Sequence, residues 1–274
     1  MARNTYGLDL GSYEIKVYDK KQDTIWKEKN VLAVQDKKEI IAIGEDAYQM
    51  YEKTPPDIEV AFPMRDGVIS HFNDMQNLLQ NILKKNRHFS RGAEYVIAVP
   101  TDVTEVQKKA FFDLVIHSNA KAREVNIVER SIADAVGLGI DVQNTTGVMI
   151  INFGGETTEL SVLTEGGIVF NRLLKLGGTT LDQEIVNLVR NSHDFLIGSR
   201  TAEILRQQFD VFNGDSETAF SVAGRDLITG LPMRKTISIT LVRAAFKDTL
   251  LECMKAVRSM LDRTPPEIRK AIYQ

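Results

Sequence analysis

One cysteine, Cys253, stands in 274 residues. No internal disulfide can form, and a reducing compartment is the expectation. Long apolar runs are also missing: no stretch approaches the roughly 20 residues that cross a bilayer as a helix. The opening residues, Met1-Ala2-Arg3-Asn4-Thr5-Tyr6, lack the apolar core of a secretory leader, so a cytoplasmic location is expected. Neither sign of charge dominates. Lys and Arg number 34 against 37 Asp and Glu, a formal charge of −3. That balance argues against a nucleic-acid binder, which is usually markedly basic. The four histidines, His71, His88, His117 and His193, show no ligand spacing and no cysteine partner, so no metal site is expected on them. No Ser/His/Asp or Cys/His arrangement points to nucleophilic catalysis. Low-complexity runs and Gly/Ser linkers are absent.

What remains is globular. With 43% hydrophobic and 26% charged residues the chain has the composition of a folded protein. Its length fits two lobes, or one domain carrying insertions. Alternating and β-branched runs predict strands over residues 6–10, 15–18 and 24–26, then 31–34 and 40–43. Met75, Leu78, Leu79, Ile82 and Leu83 recur at helical spacing and predict a helix over 74–85. A strand at 95–99, closed by Pro100, leads to a helix over 104–119, a strand at 125–128 and a short helix at 132–138. This β-α-β-α order indicates α/β layers. A second set of strands follows at 148–153, 159–164 and 168–176, then helices over 181–191 and 201–208. Residues 210–232 read as polar and irregular. A long helix is expected over about 239–261, and Thr264-Pro265-Pro266 fits the start of another, with proline at its first position.

The two strand sets contain a repeat. Leu8-Asp9-Leu10-Gly11-Ser12 matches Ile151-Asn152-Phe153-Gly154-Gly155 at a constant offset of 143 positions. Each is a strand, a polar side chain near its end, then a glycine turn into a second strand. Glycine there lets backbone N–H groups approach an anion with no Cβ in the way. One such hairpin alone reads as an ordinary turn. Two copies facing each other would grip one polyphosphate from both sides.

The chain at this point resembles the actin, chaperone-ATPase and sugar-kinase superfold, and most closely the bacterial actin MreB and its paralogues. The resemblance is carried by Gly7-Leu8-Asp9-Leu10-Gly11-Ser12, Pro63-Met64-Arg65-Asp66-Gly67-Val68-Ile69, Val99-Pro100-Thr101-Asp102-Val103-Thr104-Glu105-Val106 and Gly154-Gly155-Glu156-Thr157-Thr158-Glu159. It continues through Gly166-Gly167-Ile168-Val169, Leu196-Ile197-Gly198-Ser199-Arg200-Thr201-Ala202-Glu203, Gly224-Arg225-Asp226-Leu227-Ile228-Thr229-Gly230-Leu231-Pro232 and Arg263-Thr264-Pro265-Pro266-Glu267, and so covers nearly the whole chain in order.

That resemblance implies an actin-like (ribonuclease H-like) α/β fold of two lobes. Residues 1–29 and 62–139 would form the first core and 30–61 its insertion; 140–178 and 236–274 would form the second core and 179–235 its insertion. It implies ATP or ADP with Mg²⁺, filaments of like subunits or of full-length relatives, membrane proteins of wall elongation as partners, and a place against the inner membrane surface. Asp9, Gly11, Ser12 and Tyr13 would make the first phosphate loop, and Gly154, Gly155, Glu156 and Thr157 the second, with Thr157 also at the reacting phosphate. Gly177, Gly178, Glu203 and Arg206 would lie along ribose and adenine; the family usually has lysine at position 206. The basic run at Lys84, Lys85, Arg87, Phe89 and Arg91 corresponds to a membrane-inserting loop, where each cation near an anionic leaflet contributes about 1 kcal/mol; an ordinary solvated loop is the competing reading.

Three departures bear on chemistry. The second hairpin normally begins with aspartate, where this chain has Asn152, leaving Asp9 as the metal carboxylate and a weakened Mg²⁺ site. The family's Glu-Glu-Pro is here Glu129-Arg130-Ser131, and a guanidinium cannot orient water as a carboxylate does. Nucleotide binding with weak or absent hydrolysis is therefore expected. The family pattern also continues beyond Glu267 by some tens of residues, with a third glycine turn and a last helix, so uncovered apolar surface is expected. An active ATPase, a sugar kinase of the same superfold, and a regulatory module that binds no nucleotide are the alternatives.

Overall fold

The protein's structure, a computed structural model, describes residues 4–85, 92–165 and 167–274. It divides into two compact units. The first comprises Met1–Lys175 with Thr264–Gln274, and the second Leu176–Arg263. This partition falls elsewhere than the four-part lobe division expected from the resemblance, which stays a proposal.

In the first unit, β1 (Thr5–Leu10), β2 (Glu14–Asp19) and β3 (Thr24–Lys29) form an antiparallel meander. A small insertion follows: β4 (Leu32–Gln35), β5 (Glu39–Ile43), α1 (Glu45–Met50) and β6 (Ile58–Ala61), with the strands ordered β5-β4-β6. Next come a short hairpin, β7 (Met64–Arg65) and β8 (Val68–Ile69), and then α2 (Phe72–Lys85), β9 (Glu94–Val99), α3 (Glu105–Ile116), β10 (Glu124–Glu129) and α4 (Arg130–Gly137). Strands β9 and β10 join the meander in parallel, giving the order β10-β9-β1-β2-β3.

Alternation determines which face is buried. Tyr6, Leu8 and Leu10 of β1, Ile15 and Val17 of β2, and Tyr95, Ile97 and Val99 of β9 share the core with Met75, Leu78, Leu79 and Ile82 of α2. Phe111, Leu114 and Val115 of α3 complete it. Helix α3 is started by a capping box, in which Thr104 Oγ1 accepts from Gln107 N–H and Gln107 Oε1 accepts from Thr104 N–H.

A second sheet, β11 (Val148–Phe153), β12 (Thr158–Thr164) and β13 (Gly167–Leu174), is antiparallel throughout. Every residue of β12 but the last is buried. On β11, Ile151 and Phe153 keep 50% and 40% exposure.

The second unit contains α5 (Gly178–His193), β14 (Phe195–Leu196), α6 (Ser199–Gln208), β15 (Ala219–Asp226), β16 (Pro232–Ser238) and α7 (Ile239–Arg263). Its core gathers Leu181, Ile185, Val189, Phe195, Leu205, Val242 and Phe246. The stretch expected to be irregular holds β15 and the start of β16. The hairpin was illegible because it is mostly exposed: Val222 and Asp226 are the buried residues of β15, and Ile237 that of β16. Helix α8 (Pro266–Ile272) returns to the first unit with Pro266 at its first position, and packs on β11. Among the described residues no helix is long and apolar enough to cross a membrane.

Candidate functional site

The two glycine hairpins are built alike. In β1–β2, Asp9 faces Lys16 and Leu10 faces Ile15, and Gly11 N–H donates to Glu14 O at 3.1 Å. In β11–β12, Asn152 faces Glu159 and Phe153 faces Thr158, and Gly154 N–H donates to Thr157 O at 2.8 Å. The 143-residue offset thus holds for strand register and turn bond as well as for sequence. Both turns exclude a side chain. A Cβ at Gly11 would lie 2.8 Å from Glu14 O, and one at Gly154 2.9 Å from Thr157 O.

The turns also meet. A Cβ on Gly155 would fall 2.6 Å from Tyr13 Cβ, so the second bend rests directly on the first. A third turn, Asp66-Gly67 between β7 and β8, is clasped by both. Ser12 Oγ accepts from Gly67 N–H at 3.1 Å, and Glu156 Oε2 accepts from Asp66 N–H at 2.7 Å. Asp66 and Gly67 have φ of 52° and 80°, a left-handed pair that suits aspartate and glycine. Around these three turns lies a cavity of about 250 Å³. Every phosphate-loop residue expected from the sequence lines it: Asp9, Gly11, Ser12, Tyr13, Gly154, Gly155, Glu156 and Thr157, together with Arg130 and Asn152. The side chains of Ser12 and Glu156 serve the Asp66-Gly67 turn.

The charges beneath the cavity are tightly interlocked. Asp9 Oδ2 pairs with Lys16 Nζ at 3.0 Å and Asp9 Oδ1 with Arg130 Nη2 at 3.4 Å. Arg130 opens α4, where a cation sits at the unfavourable pole of the helix and the Asp9 carboxylate offsets it. Its side chain is only 12% exposed, and its Nε has no hydrogen-bond partner among the described residues. One turn along α4, Asp134 accepts from Asn152 Nδ2 at 2.6 Å. Burial pushes the Asp134 carboxyl up; the Asn152 bond and the Arg130 charge pull it down, and Asp9 and Glu159 push it further up. Glu159 is buried, its Oε1 accepting from Thr101 N–H at 3.0 Å and Asn171 Nδ2 at 2.9 Å.

A divalent cation on Asp9 and Asn152 does not fit this arrangement. Both Asp9 oxygens already face cations, and Asn152 turns an amide donor toward Asp134. Among the described residues no group of three or more His, Cys, Asp or Glu is placed to hold a metal ion. The residues of the weak metal pair read from the sequence thus do not suit the ion as they are placed: two fixed positive charges repel it.

Lys16, Glu14, Gly67 and Phe153 also line the cavity, Asp134 bonds Asn152 and Glu159 faces it across the strands, and none of these was singled out from sequence. Two signals were available. Lys16 and Glu159 are mates at the same offset, and Asp134 follows Arg130 by four residues, which puts both on one helix face.

The other expected residues lie elsewhere. Gly177 and Gly178 begin α5, where Gly177 N–H donates to Thr180 Oγ1 at 3.2 Å. On α6, Arg206 grips Asp182 of α5 through Nε at 2.6 Å and Nη2 at 3.1 Å. Glu203 is buried beside it and accepts from Gln207 at 2.8 Å. Burial raises the Glu203 carboxyl while Arg206 and the Gln207 bond lower it. Of the basic run, Arg87, Phe89, Arg91 and the side chains of Lys84 and Lys85 lie outside the described residues.

Comparison with known proteins places this geometry. The model of the family described as MreB/Mbl protein matches residues 3–274. The chain is 33% identical over 283 residues to the cell shape-determining protein MreB of Escherichia coli K12, covering 100% of this chain and 81% of that one. It is 31% identical over 267 residues to the cell shape-determining protein Mbl of Bacillus subtilis, covering 96% and 79%. The crystal structure of MreB 5 of Spiroplasma citri bound to AMPPNP matches with a TM-score of 0.91 and 30% identity, over 99% of this chain and 82% of that one. The ADP-bound form also gives 0.91. The MamK double helical filament, at 20% identity and a TM-score of 0.79 over 99% and 83% of the two chains, shares the fold.

Proposed function

The chain belongs to the MreB/Mbl family and has its actin-like fold, and from that premise we propose that it binds ATP or ADP in the twin-hairpin cavity as a cytoskeletal protein of cell-shape determination. One observation carries the nucleotide reading. Two glycine turns of the same construction meet at Gly155 and Tyr13 around one small cavity, the geometry a polyphosphate needs. Asp9, Gly11, Ser12, Tyr13, Gly154, Gly155, Glu156 and Thr157 would hold the phosphates, and Gly177, Gly178, Glu203 and Arg206 the ribose and base.

Hydrolysis is weak or absent. Arg130 occupies the position where the family resemblance implies a water-orienting glutamate, and losing a general base costs about 10²–10⁴ in rate. The protein's role then comes through assembly. It forms filaments with copies of itself or with longer relatives, from the cytoplasmic side of the membrane, with wall-elongation membrane proteins as partners. Lys84, Lys85, Arg87, Phe89 and Arg91 would make the membrane contact.

Isothermal titration of the full chain with ATP and with ADP tests the core of this reading. Micromolar binding supports it; no heat up to millimolar nucleotide would favour the regulatory module instead. Phosphate release should stay at background in the wild type. Release that falls in Asp9→Ala would identify an active ATPase. Electron microscopy should show filaments with nucleotide, and flotation should bring the protein up with anionic vesicles.

A further inference from the structure

The metal misfit has a positive side. In the family resemblance, position 130 is a water-orienting glutamate and position 152 an aspartate that helps hold a divalent cation. Here they are Arg130 and Asn152. The exchange raises the formal charge at the cavity by three, one more than a divalent ion carries. The added charge is also in place: Arg130 lines the cavity, reaches Asp9 at 3.4 Å, and is held from the first turn of α4.

Among the described residues its buried Nε also has no hydrogen-bond partner. A guanidinium donor that is nearly nine-tenths buried normally has an acceptor. A phosphate oxygen is the acceptor that the arginine fork takes best. The start of α4 adds the positive end of a helix dipole to the same spot. Lys16 supplies a second cation on the cavity wall. Of the remaining acids there, Glu156 is engaged with the Asp66 N–H, and Glu14 lies on the strand beside Lys16.

We propose that Arg130, ion-paired with Asp9, is a built-in counter-cation for nucleotide phosphate, so that ATP and ADP bind this chain without a divalent metal ion, an inference that rests on the nucleotide reading of the cavity.

The full chain is titrated with ATP and ADP, once with excess Mg²⁺ and once with EDTA. Affinity should agree within about twofold between the two conditions. Arg130→Met removes the charge while keeping most of the side-chain volume. It should weaken binding in EDTA by about 10- to 100-fold, the worth of a charge-assisted hydrogen bond. Arg130→Lys keeps a cation and should retain most of the metal-free affinity. Arg130→Glu, with Asn152→Asp, should make binding depend on Mg²⁺. Circular dichroism and thermal melting confirm that each variant is folded. Wild-type binding that drops more than about tenfold in EDTA overturns the proposal and leaves the nucleotide site standing. Arg130→Met binding that equals wild type in EDTA also overturns it. No binding in either condition defeats the nucleotide reading itself, and the proposal with it.

Discussion

Single positions carry much of the site. Gly155 is the contact between the two bends, and the atom a Cβ would strike is Tyr13 Cβ, next to the backbone rather than at a movable tip. Gly155→Ala must part the hairpins. We expect it to lower stability by about 1–3 kcal/mol, as overpacking does, and to weaken ATP binding in titration. Gly167→Ala, with open space around it, should change neither. In the second unit, Asp226 is held down to about 2, first by the Lys235 ammonium at 2.9 Å and then by the Thr229 N–H and hydroxyl. A carboxylate depressed in the folded state stabilises it above the ordinary value of 3.8, and that contribution is lost as pH falls through about 2. Asp226→Asn should therefore melt lower than wild type near pH 7, and the gap should close in melts between about pH 4 and pH 2. The phosphate-loop residues were legible because the duplication put them at equal offsets. Asp134 was not, because its part in the site depends on a hydrogen bond from Asn152 across two elements.

Elements of regular pattern were legible and small ones were not. The meander, β9, β10 and the long helices announce themselves by alternation or by 3.6-residue spacing. Helix α1 buries only Ala47, and β7 and β8 have two residues each, too few to leave a period. The β15–β16 hairpin is long enough but escaped for a different reason, since most of its residues face solvent and leave no apolar alternation. Two element-level tests follow. Thr104→Ala removes the cap of α3 and should cost about 1 kcal/mol in denaturant unfolding. Arg206→Leu leaves Asp182, at 11% exposure, without its bidentate cation between α5 and α6. That should cost about 3–5 kcal/mol, and Arg206→Lys should recover only part of it.

At the scale of the molecule, the two compact units differ in how the chain builds them. Leu176–Arg263 is one continuous segment whose core, among the described residues, is drawn from the segment itself. Expressed by itself it should melt cooperatively by circular dichroism; a gradual, non-cooperative loss of signal would show that it depends on the rest of the chain. The first unit is discontinuous. Its last piece, α8, lies so close to β11 that a Cβ on Gly147 would come within 2.8 Å of Ile268 O. During translation this imposes an order of events. The strand carrying Asn152 emerges early, but the helix that backs it is read only after the ribosome has finished the whole intervening segment. At about 5–20 residues per second that lag is roughly 5–20 seconds. For that interval β11 lacks the helix that packs on it, and this part of the first unit is covered only late in synthesis.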